Sequence, residues 1–310
     1  MKALIATSYG PLDRLAVTEC PLPTAGPGQI LVRVEAAALN PLDVKLVTGD
    51  MRELMPIEHP FVVGMDAAGV VAAVGEGVFG YAVGDDVVAY THFHPGTIAE
   101  FTLVDEGPNV THRPAGLDVV RGAALPAVSL TALGIVATAQ LEPGQSMLVV
   151  GATGGVGSFI VQLAAQAGVQ VLATATAADT DYARSLGARS TIDYTSTDVV
   201  EHVLVLHPDG VDVIVDLINA GPALATTARA VKPGGKLLST LGGPPAFGAV
   251  VPVYVRMSAQ DGQLQQLAER AAAGELTIDV VATYPFADAP TALADFAAGK
   301  HSRGKVVITF

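Results

Sequence analysis

The chain has 310 residues and a formal net charge of −13, from 17 lysines and arginines against 30 aspartates and glutamates. This length favours two domains, and the acidic balance disfavours binding to nucleic acid or to an anionic membrane surface. Half of the residues are hydrophobic and only 15% are charged, which excludes a disordered chain.

Signals for export, for a disulfide framework and for a membrane span are all weak. Residues 1–10 lack the apolar segment of a secretory signal peptide, and Cys20 is the single cysteine. Residues 143–178 carry no charge, but four glycines within 151–157 interrupt them, whereas a spanning helix needs about 20 mostly apolar residues. A buried strand, a glycine turn and a buried helix explain this segment better. The sequence therefore predicts a cytoplasmic protein with no membrane partner.

The first 115 residues predict short strands separated by Pro- and Gly-containing turns. In residues 31–39, apolar and polar residues alternate and an apolar run follows. Residues 62–78 hold apolar runs broken by glycines. The second pattern is typical of a small curved or barrel-like sheet. Residues 85–90 and 98–105 are further strand candidates.

From about residue 118, helix-length and strand-length segments alternate. Residues 118–141 favour a helix interrupted at Pro126. The following strands are predicted at 146–152, 170–176, 211–218 and 236–242, with helices at 156–168, 179–188 and between the last two strands. This alternation predicts an α/β domain with a parallel, doubly wound sheet. Pro252 places a last strand, 249–257, at a sheet edge, and residues 263–276 and 305–310 predict a helix and a strand.

A glycine-rich segment, GATGGVG at 151–157, joins an apolar strand to an apolar helix. This is the context of a dinucleotide-binding fingerprint, although Ala152 replaces the first glycine. Gly154 would let the backbone approach a pyrophosphate and Gly157 would let the helix pack on the strand, while N–H groups at the helix start face the phosphates. The alternative is an ordinary tight turn. The predicted pyrophosphate contacts are Gly154, Gly155, Val156 and Gly157.

The strand after this loop bears on the choice of cofactor. An acid at its end would bind the ribose hydroxyls of NAD, but residues 173–178 contain none and the first acid is Asp179. Because no carboxylate there repels a 2′-phosphate, NADP(H) is favoured over NAD(H), whereas Asp179 and Asp181 argue the other way. The candidate adenosine-side residues are Thr174, Thr176, Arg184 and Tyr194.

Six segments together resemble the medium-chain dehydrogenase/reductase superfamily, and within it the zinc-independent quinone oxidoreductase (zeta-crystallin-like) branch. They are LVRVEAAALNPLDVKLVTGD, PFVVGMDAAGVVAAVGEGV, GDDVVAY, LPAVSLTALGIV, GATGGVG and RGKVVITF. The resemblance covers nearly the whole chain. It implies a GroES-like, β-rich catalytic domain formed by residues 1–117 and 258–310, with a Rossmann NADP-binding domain, residues 118–257, inserted between them.

The resemblance also bears on zinc. In zinc-dependent relatives a Cys of the first segment and a His of the second hold the catalytic metal, and those positions resemble Asn40 and Met65 here. The third ligand region, around Ser129, offers no thiolate, and a four-cysteine structural site is excluded by the single cysteine. We therefore expect no metal. Three histidines fall outside the ligand positions, and the last two belong to a predicted surface turn: His59, His92 and His94.

The chemistry that the resemblance implies is hydride transfer from reduced nicotinamide to a quinone or an α,β-unsaturated carbonyl. Conjugation spreads charge into the oxygen of such acceptors, so hydrogen-bond donors suffice without a Lewis acid. Asn40 is the candidate donor to the substrate oxygen and Thr131 the candidate for placing the nicotinamide. The alternatives are that Asn40 is only a turn residue before Pro41 and that Thr131 is only an ordinary helix residue. Asp43 is expected to hold the loop, and no proton donor is identified.

Further cofactor contacts follow from strand ends and from the resemblance. Ligands of open α/β sheets bind at the carboxyl ends of the strands, so the backbone there is expected to meet the nicotinamide half. Lys305 resembles a basic residue that approaches the pyrophosphate, and Tyr194 a tyrosine near the adenosine phosphate. The alternative for Lys305 is a solvated charge on a strand, and the alternative for Tyr194 is a packing residue at a strand end. The strand-end candidates are Asn219, Leu241, Gly242 and Gly243.

The resulting hypothesis is an NADPH-dependent, zinc-independent reductase of small-molecule quinones or enones, working as a homodimer joined through residues 249–257. A second hypothesis is a nicotinamide-nucleotide-binding redox sensor or partner-binding protein with little catalysis. A third, a zinc alcohol dehydrogenase, conflicts with the missing ligands.

Overall fold

The computed structural model describes residues 1–92 and 95–310. They form two compact units, one made of Met1–Ala127 and Ala259–Phe310 and the other of Val128–Ser258. Residues 118–127, which the sequence assigns to the inserted domain, lie in the first unit. Two residues of the predicted surface turn, Phe93 and His94, lie outside the described residues.

The strands are numbered in chain order. They are β1 (Lys2–Ala6), β2 (Ala16–Glu19), β3 (Gln29–Ala38), β4 (Phe61–Val62), β5 (Asp66–Val74), β6 (Asp86–Tyr90), β7 (Phe101–Asp105), β8 (Val110–His112), β9 (Ser146–Val150), β10 (Gln170–Ala175), β11 (Ser190–Asp193), β12 (Val211–Asp216), β13 (Val231–Ser239), β14 (Pro252–Tyr254), β15 (Val280–Pro285) and β16 (Lys305–Thr309).

The helices are numbered in the same way. They are α1 (Pro41–Thr48), α2 (Val119–Ala123), α3 (Pro126–Ala139), α4 (Gly155–Gln166), α5 (Thr180–Ser185), α6 (Val199–Leu206), α7 (Leu224–Ala228), α8 (Gln263–Ala272) and α9 (Ala289–Ala297). None of these helices combines the length and the apolar composition that crossing a membrane requires, as far as the described residues extend. The cytoplasmic location stays a prediction.

The first unit is organised around the long strand β3. It pairs antiparallel with β5 along one edge, and on the other edge with β7 at its start and with β16 at its end. The C-terminal strand is thereby built into a sheet made mainly of N-terminal strands. Where β5 crosses β3, a Cβ on Gly69 would lie 2.0 Å from the Arg33 carbonyl oxygen, so only glycine permits this approach. The core between this sheet and helices α1 and α9 includes Leu39, Leu46, Leu293 and Val306.

The second unit is a six-stranded sheet in the order β11-β10-β9-β12-β13-β14, in which every neighbouring pair is parallel. This confirms the parallel, doubly wound sheet that the alternating segments predict. Strand β9 is buried along its whole length, as a central parallel strand covered on both faces should be. Strand β14 lies at one end of the sheet with Pro252 as its first residue, where the missing N–H costs no central ladder bond.

Helix α1 shows why an element was missed in the sequence. It begins at Pro41, after Asn40, and ends at Thr48, followed by Gly49 with φ 86°. Proline at the first helical position and glycine just beyond the last are helix signals. The apolar runs on either side favour strands and conceal this eight-residue helix. Its position places Asn40 at the end of β3, beside the C-terminal strand.

Candidate active site

The glycine loop in the second unit has the shape that a bound pyrophosphate requires. Gly154 caps helix α4, and a Cβ on Gly154 would meet only the Gly151 carbonyl oxygen, at 3.5 Å, so the space above it is open. A Cβ on Gly157 would lie 2.1 Å from that same oxygen, which only glycine avoids. The first N–H groups of a helix have no partner within the helix and attract anions. Gly155 and Val156 supply these groups, so the loop fits the phosphates of a dinucleotide.

Several strand ends meet beside this loop. The register sets Asp216 of β12 opposite Val150 of β9 and Ser239 of β13, and Ala175 of β10 opposite Asp193 of β11. The carboxyl ends of five strands therefore share one edge of the sheet. This is the edge at which open parallel sheets bind ligands. It carries most of the residues that the sequence proposes for the cofactor: the glycine loop, Thr176, Tyr194, Asn219, Leu241, Gly242 and Gly243.

The two threonines of β10 and its end are engaged within the protein. The buried Thr174 hydroxyl accepts a hydrogen bond from the Gly151 N–H, at 3.0 Å, so it supports the glycine loop. The Thr176 hydroxyl donates to the Asp179 carboxylate, at 2.8 Å. A direct contact of either hydroxyl with the cofactor stays a prediction. Tyr194, by contrast, is 51% exposed just beyond β11.

Asp216 organises the next strand end, a role that was not predicted from the sequence. Its buried carboxylate accepts hydrogen bonds from the N–H groups of Ile218 and Asn219, from the Asn219 amide and from the Thr227 hydroxyl, at 2.9–3.0 Å. The Asn219 side chain therefore shapes its own loop. An aspartate at the end of a predicted strand, three residues before an asparagine, was the available signal.

The loop after β13 stays close to the sheet edge. The Leu241 N–H donates to the Ser239 hydroxyl at 3.0 Å. A Cβ on Gly242 would meet nothing within 4 Å, whereas one on Gly243 would lie 2.6 Å from the Tyr254 hydroxyl. Backbone at Gly242 is thus open to a ligand. Thr131 lies half-buried in the second turn of α3.

In the first unit, Asn40 and Lys305 belong to one buried polar cluster, which we call the Lys305 cluster: Asn40, Asp43, Asp66 and Lys305. The Lys305 ammonium donates to the Leu39 carbonyl and to Asn40 Oδ1, both at 2.8 Å, and lies 3.5 Å from Asp66 Oδ2. Asn40 Nδ2 donates to Asp66 Oδ2 at 2.9 Å. Lys305 is only 4% exposed and its ammonium is engaged within the protein. Its expected contact with a pyrophosphate stays a prediction.

Burial dominates the electrostatics of the cluster. It raises the pKa of Asp43 from 3.8 to about 7, against the opposing effects of the Asn40 N–H and Lys305. Asp43 Oδ2 accepts from the Asn40 N–H at 2.7 Å, but Oδ1 is buried without a hydrogen-bond partner. Burial likewise raises the pKa of Asp66 and lowers the pKa of Lys305, while their mutual attraction opposes both shifts.

The positions that hold zinc ligands in zinc-dependent relatives carry poor ligands here. Asn40 is engaged by Lys305 and Asp66, and the buried Met65 sulfur lies 3.8 Å from the Tyr90 hydroxyl, which donates to it. Zinc favours Cys, His or carboxylate ligands in a tetrahedral set. Within residues 1–92 and 95–310, no group of three or more His, Cys, Asp or Glu side chains is arranged to hold a metal ion.

Two family models match the chain. The model described as the alcohol dehydrogenase GroES-like domain matches residues 26–160, and the model described as zinc-binding dehydrogenase matches residues 186–308. An NADPH-dependent alkenal/one oxidoreductase of Arabidopsis thaliana chloroplasts is 32% identical, over 99% of this chain and 79% of that protein. A chloroplast envelope quinone oxidoreductase homolog of the same plant is 30% identical, over 99% of this chain and 98% of that protein.

Solved structures agree with this result. The mycobacterial protein Rv1454c, solved in complex with NADPH, superimposes with a TM-score of 0.89 at 26% identity, covering 100% of both chains. The predicted fold, a GroES-like domain with a Rossmann domain, is therefore confirmed. The chain belongs to the medium-chain dehydrogenase/reductase family, among its quinone oxidoreductase-like members.

Proposed function

We propose that this protein is an NADPH-dependent oxidoreductase that transfers hydride to a quinone or an α,β-unsaturated carbonyl without zinc. The observation that carries the proposal is the glycine loop, with Gly154 open to a ligand and Gly157 closed against the strand. The names of the plant relatives, an alkenal/one oxidoreductase and a quinone oxidoreductase homolog, support the acceptor class. The NADPH complex of the mycobacterial structure supports the cofactor.

The second unit would bind the cofactor through main-chain groups. The N–H groups at the start of α4 hold the pyrophosphate. The backbone at Asn219 and at 241–243 contacts the nicotinamide half of the cofactor, and Thr131 helps to place it. Tyr194 contacts the adenosine side. Reduced nicotinamide supplies the hydride when it is bound. The choice of NADP(H) rests on residues 173–178, which contain no acid to bind the ribose hydroxyls or repel a 2′-phosphate.

Asn40 would polarise the substrate oxygen in place of a metal. One of its two amide N–H groups is taken by Asp66 at 2.9 Å, and the other faces the Ala38 carbonyl oxygen at a long 3.5 Å. This second N–H makes the weaker internal hydrogen bond, so it is the group that would donate a hydrogen bond to a substrate oxygen. A fixed donor of this kind stabilises the negative charge that develops on a conjugated oxygen. With Asn40 and Met65 at the ligand positions, no zinc is required.

The function is tested by titrating both reduced cofactors and then measuring turnover with a panel of 1,4-benzoquinones and enones. We expect tighter binding of NADPH than of NADH, and acceptor-dependent oxidation of NADPH after removal of metal by a chelator. Equal or tighter binding of NADH would contradict the cofactor assignment. Tight NADPH binding without turnover on any acceptor would favour the redox-sensor hypothesis, and loss of turnover on chelation would contradict zinc independence.

We infer that two copies associate through strand β14. It is the last strand of its sheet, and Val251, just before it, and Val253, within it, are 65% and 40% exposed. If two β14 strands paired across a twofold axis, the exposed valines of both copies would be covered and neither sheet would keep an unpaired edge strand there. Light scattering is expected to give twice the chain mass of 31.5 kDa, and Val253→Lys to give a monomer. The matched control is Val83→Lys, at an exposed valine of the first unit, and a monomeric wild type would contradict the inference.

A further inference from the structure

The Lys305 ammonium is surrounded as a bound cation would be. Its three neighbours are oxygens from two parts of the chain. The Leu39 carbonyl and the Asn40 amide, just after β3, lie at 2.8 Å each, and the Asp66 carboxylate, at the start of β5, lies at 3.5 Å. An ammonium group has three N–H donors and no acceptor, so each donor has one oxygen. A lysine this deeply buried needs such partners, because an unpaired charge in the interior is costly.

Lys305 also determines which way the Asn40 amide points. With Nζ donating to Oδ1, the amide nitrogen faces the opposite side, where it donates to Asp66 and faces the Ala38 carbonyl. A flipped amide would place its N–H groups against the ammonium and its oxygen against a carboxylate, and both contacts repel. The cluster therefore permits a single orientation of the Asn40 amide.

The backbone holds the ammonium in place. Val307 and Ile308 of β16 pair with Ala38 and Ala37 of β3, and the Leu39 N–H donates to the Val306 carbonyl at 2.9 Å. The backbone of Lys305 therefore belongs to a strand that hydrogen bonds hold next to Asn40. A group fixed in this way loses little freedom when it orients its neighbour.

We propose that Lys305 is a positioning residue whose ammonium acts as a built-in cation and fixes the Asn40 amide for the substrate oxygen. This inference rests on the proposed function, since Asn40 is given its substrate contact there. Lys305 itself does not touch the substrate. Its removal should weaken turnover while the cofactor site, formed by residues of the other unit, keeps its affinity.

The main test is Lys305→Ala, which removes three methylene groups and the ammonium, the equivalent of propylammonium. We expect kcat with a quinone or enone to fall about 100-fold, as a misplaced group in an active site does, with the Kd of NADPH within about twofold of the wild-type value. Added propylammonium should restore part of kcat, and the bulkier tetramethylammonium should not. The matched control is Lys300→Ala, at an exposed lysine paired with Asp295, which should neither lose kcat nor respond to the amine.

A second variant separates positioning from folding. Lys305→Met leaves Asp66 without its counter-charge, whereas Lys305→Met combined with Asp66→Asn removes both charges. We expect the double variant to unfold at a higher temperature than the single variant, while its kcat stays as low as that of the single variant. Wild-type kcat in a folded Lys305→Ala protein would overturn the proposal. A parallel loss of NADPH affinity would overturn it as well, because it would place Lys305 at the pyrophosphate.

A third readout does not depend on turnover. In nitrogen-15-labelled protein, the Asn40 side-chain amide, identified by its loss in Asn40→Ser, should give a slowly exchanging pair of signals. These signals should move or broaden in Lys305→Ala and return with propylammonium. If wild-type protein reduces no quinone or enone, the proposed function fails, and this readout still decides whether Lys305 orients Asn40. Unchanged signals in Lys305→Ala would overturn the inference.

Discussion

Replacing Gly157 with alanine is expected to damage both the fold of the second unit and its binding of NADPH. The added Cβ would lie 2.1 Å from the Gly151 carbonyl oxygen and 2.8 Å from the Ala152 Cα. Both are backbone atoms, so helix α4 has to move away from β9 to relieve the contact. Overpacking of this kind costs about 3 kcal/mol. Urea unfolding should show that loss, and a fluorescence titration should show at least about a tenfold weaker Kd for NADPH.

Gly154→Ala is the matched variant of the same loop. Its Cβ would meet only the Gly151 carbonyl oxygen, at 3.5 Å, so the free energy of unfolding should change by less than about 0.5 kcal/mol. The methyl group would nevertheless occupy the space through which a pyrophosphate approaches the backbone, and the affinity for NADPH should fall without a loss of stability. Gly134→Ala in α3, whose Cβ has a single neighbour at 3.9 Å, is the control for affinity. It should gain about 1 kcal/mol of stability, as replacement of a helix-interior glycine by alanine does, and leave the affinity for NADPH unchanged. Wild-type affinity in a folded Gly154→Ala protein would show that the loop is not the phosphate site.

Asp43→Asn is expected to remove a pH dependence from the stability of the first unit. The folded pKa of Asp43 is raised by burial to about 7, above its ordinary value of 3.8. Between these values the folded protein holds a proton that the unfolded chain releases, so Asp43 makes the free energy of unfolding fall as pH rises. Its penalty is absent below pH 3.8 and complete above about pH 7, where it reaches at most about 4 kcal/mol.

The measurement is the free energy of unfolding of both proteins across this pH window. Asparagine resembles the protonated carboxyl in shape and keeps an oxygen for the Asn40 N–H, so the two curves should meet at the acid end and diverge toward neutral pH, with the variant more stable. The control is Asp209→Asn, at an exposed aspartate, whose curve should run parallel to that of the wild type. Parallel curves for Asp43→Asn would contradict the burial argument.

The fold followed from patterns that are local in the chain. Alternating strands and helices predict the parallel sheet, Pro252 predicts its edge strand, and GATGGVG between an apolar strand and an apolar helix predicts the phosphate loop. Each pattern spans few residues and depends on backbone sterics, so it can be read without knowing what lies nearby. The short helix α1 was missed because its signals, Pro41 and Gly49, stand between apolar runs that favour strands.

The sequence by itself determined the family, the parallel sheet and the glycine loop. Only the tertiary structure decided that Thr174 supports that loop, that Asp216 organises the strand end, and that Lys305 turns inward to Asn40. Asn40 and Lys305 are 265 residues apart in the chain, and they meet because β16 pairs with β3. A side chain's role depends on its burial and on the charges that surround it, and here those neighbours are brought together by strand pairing between the two ends of the chain.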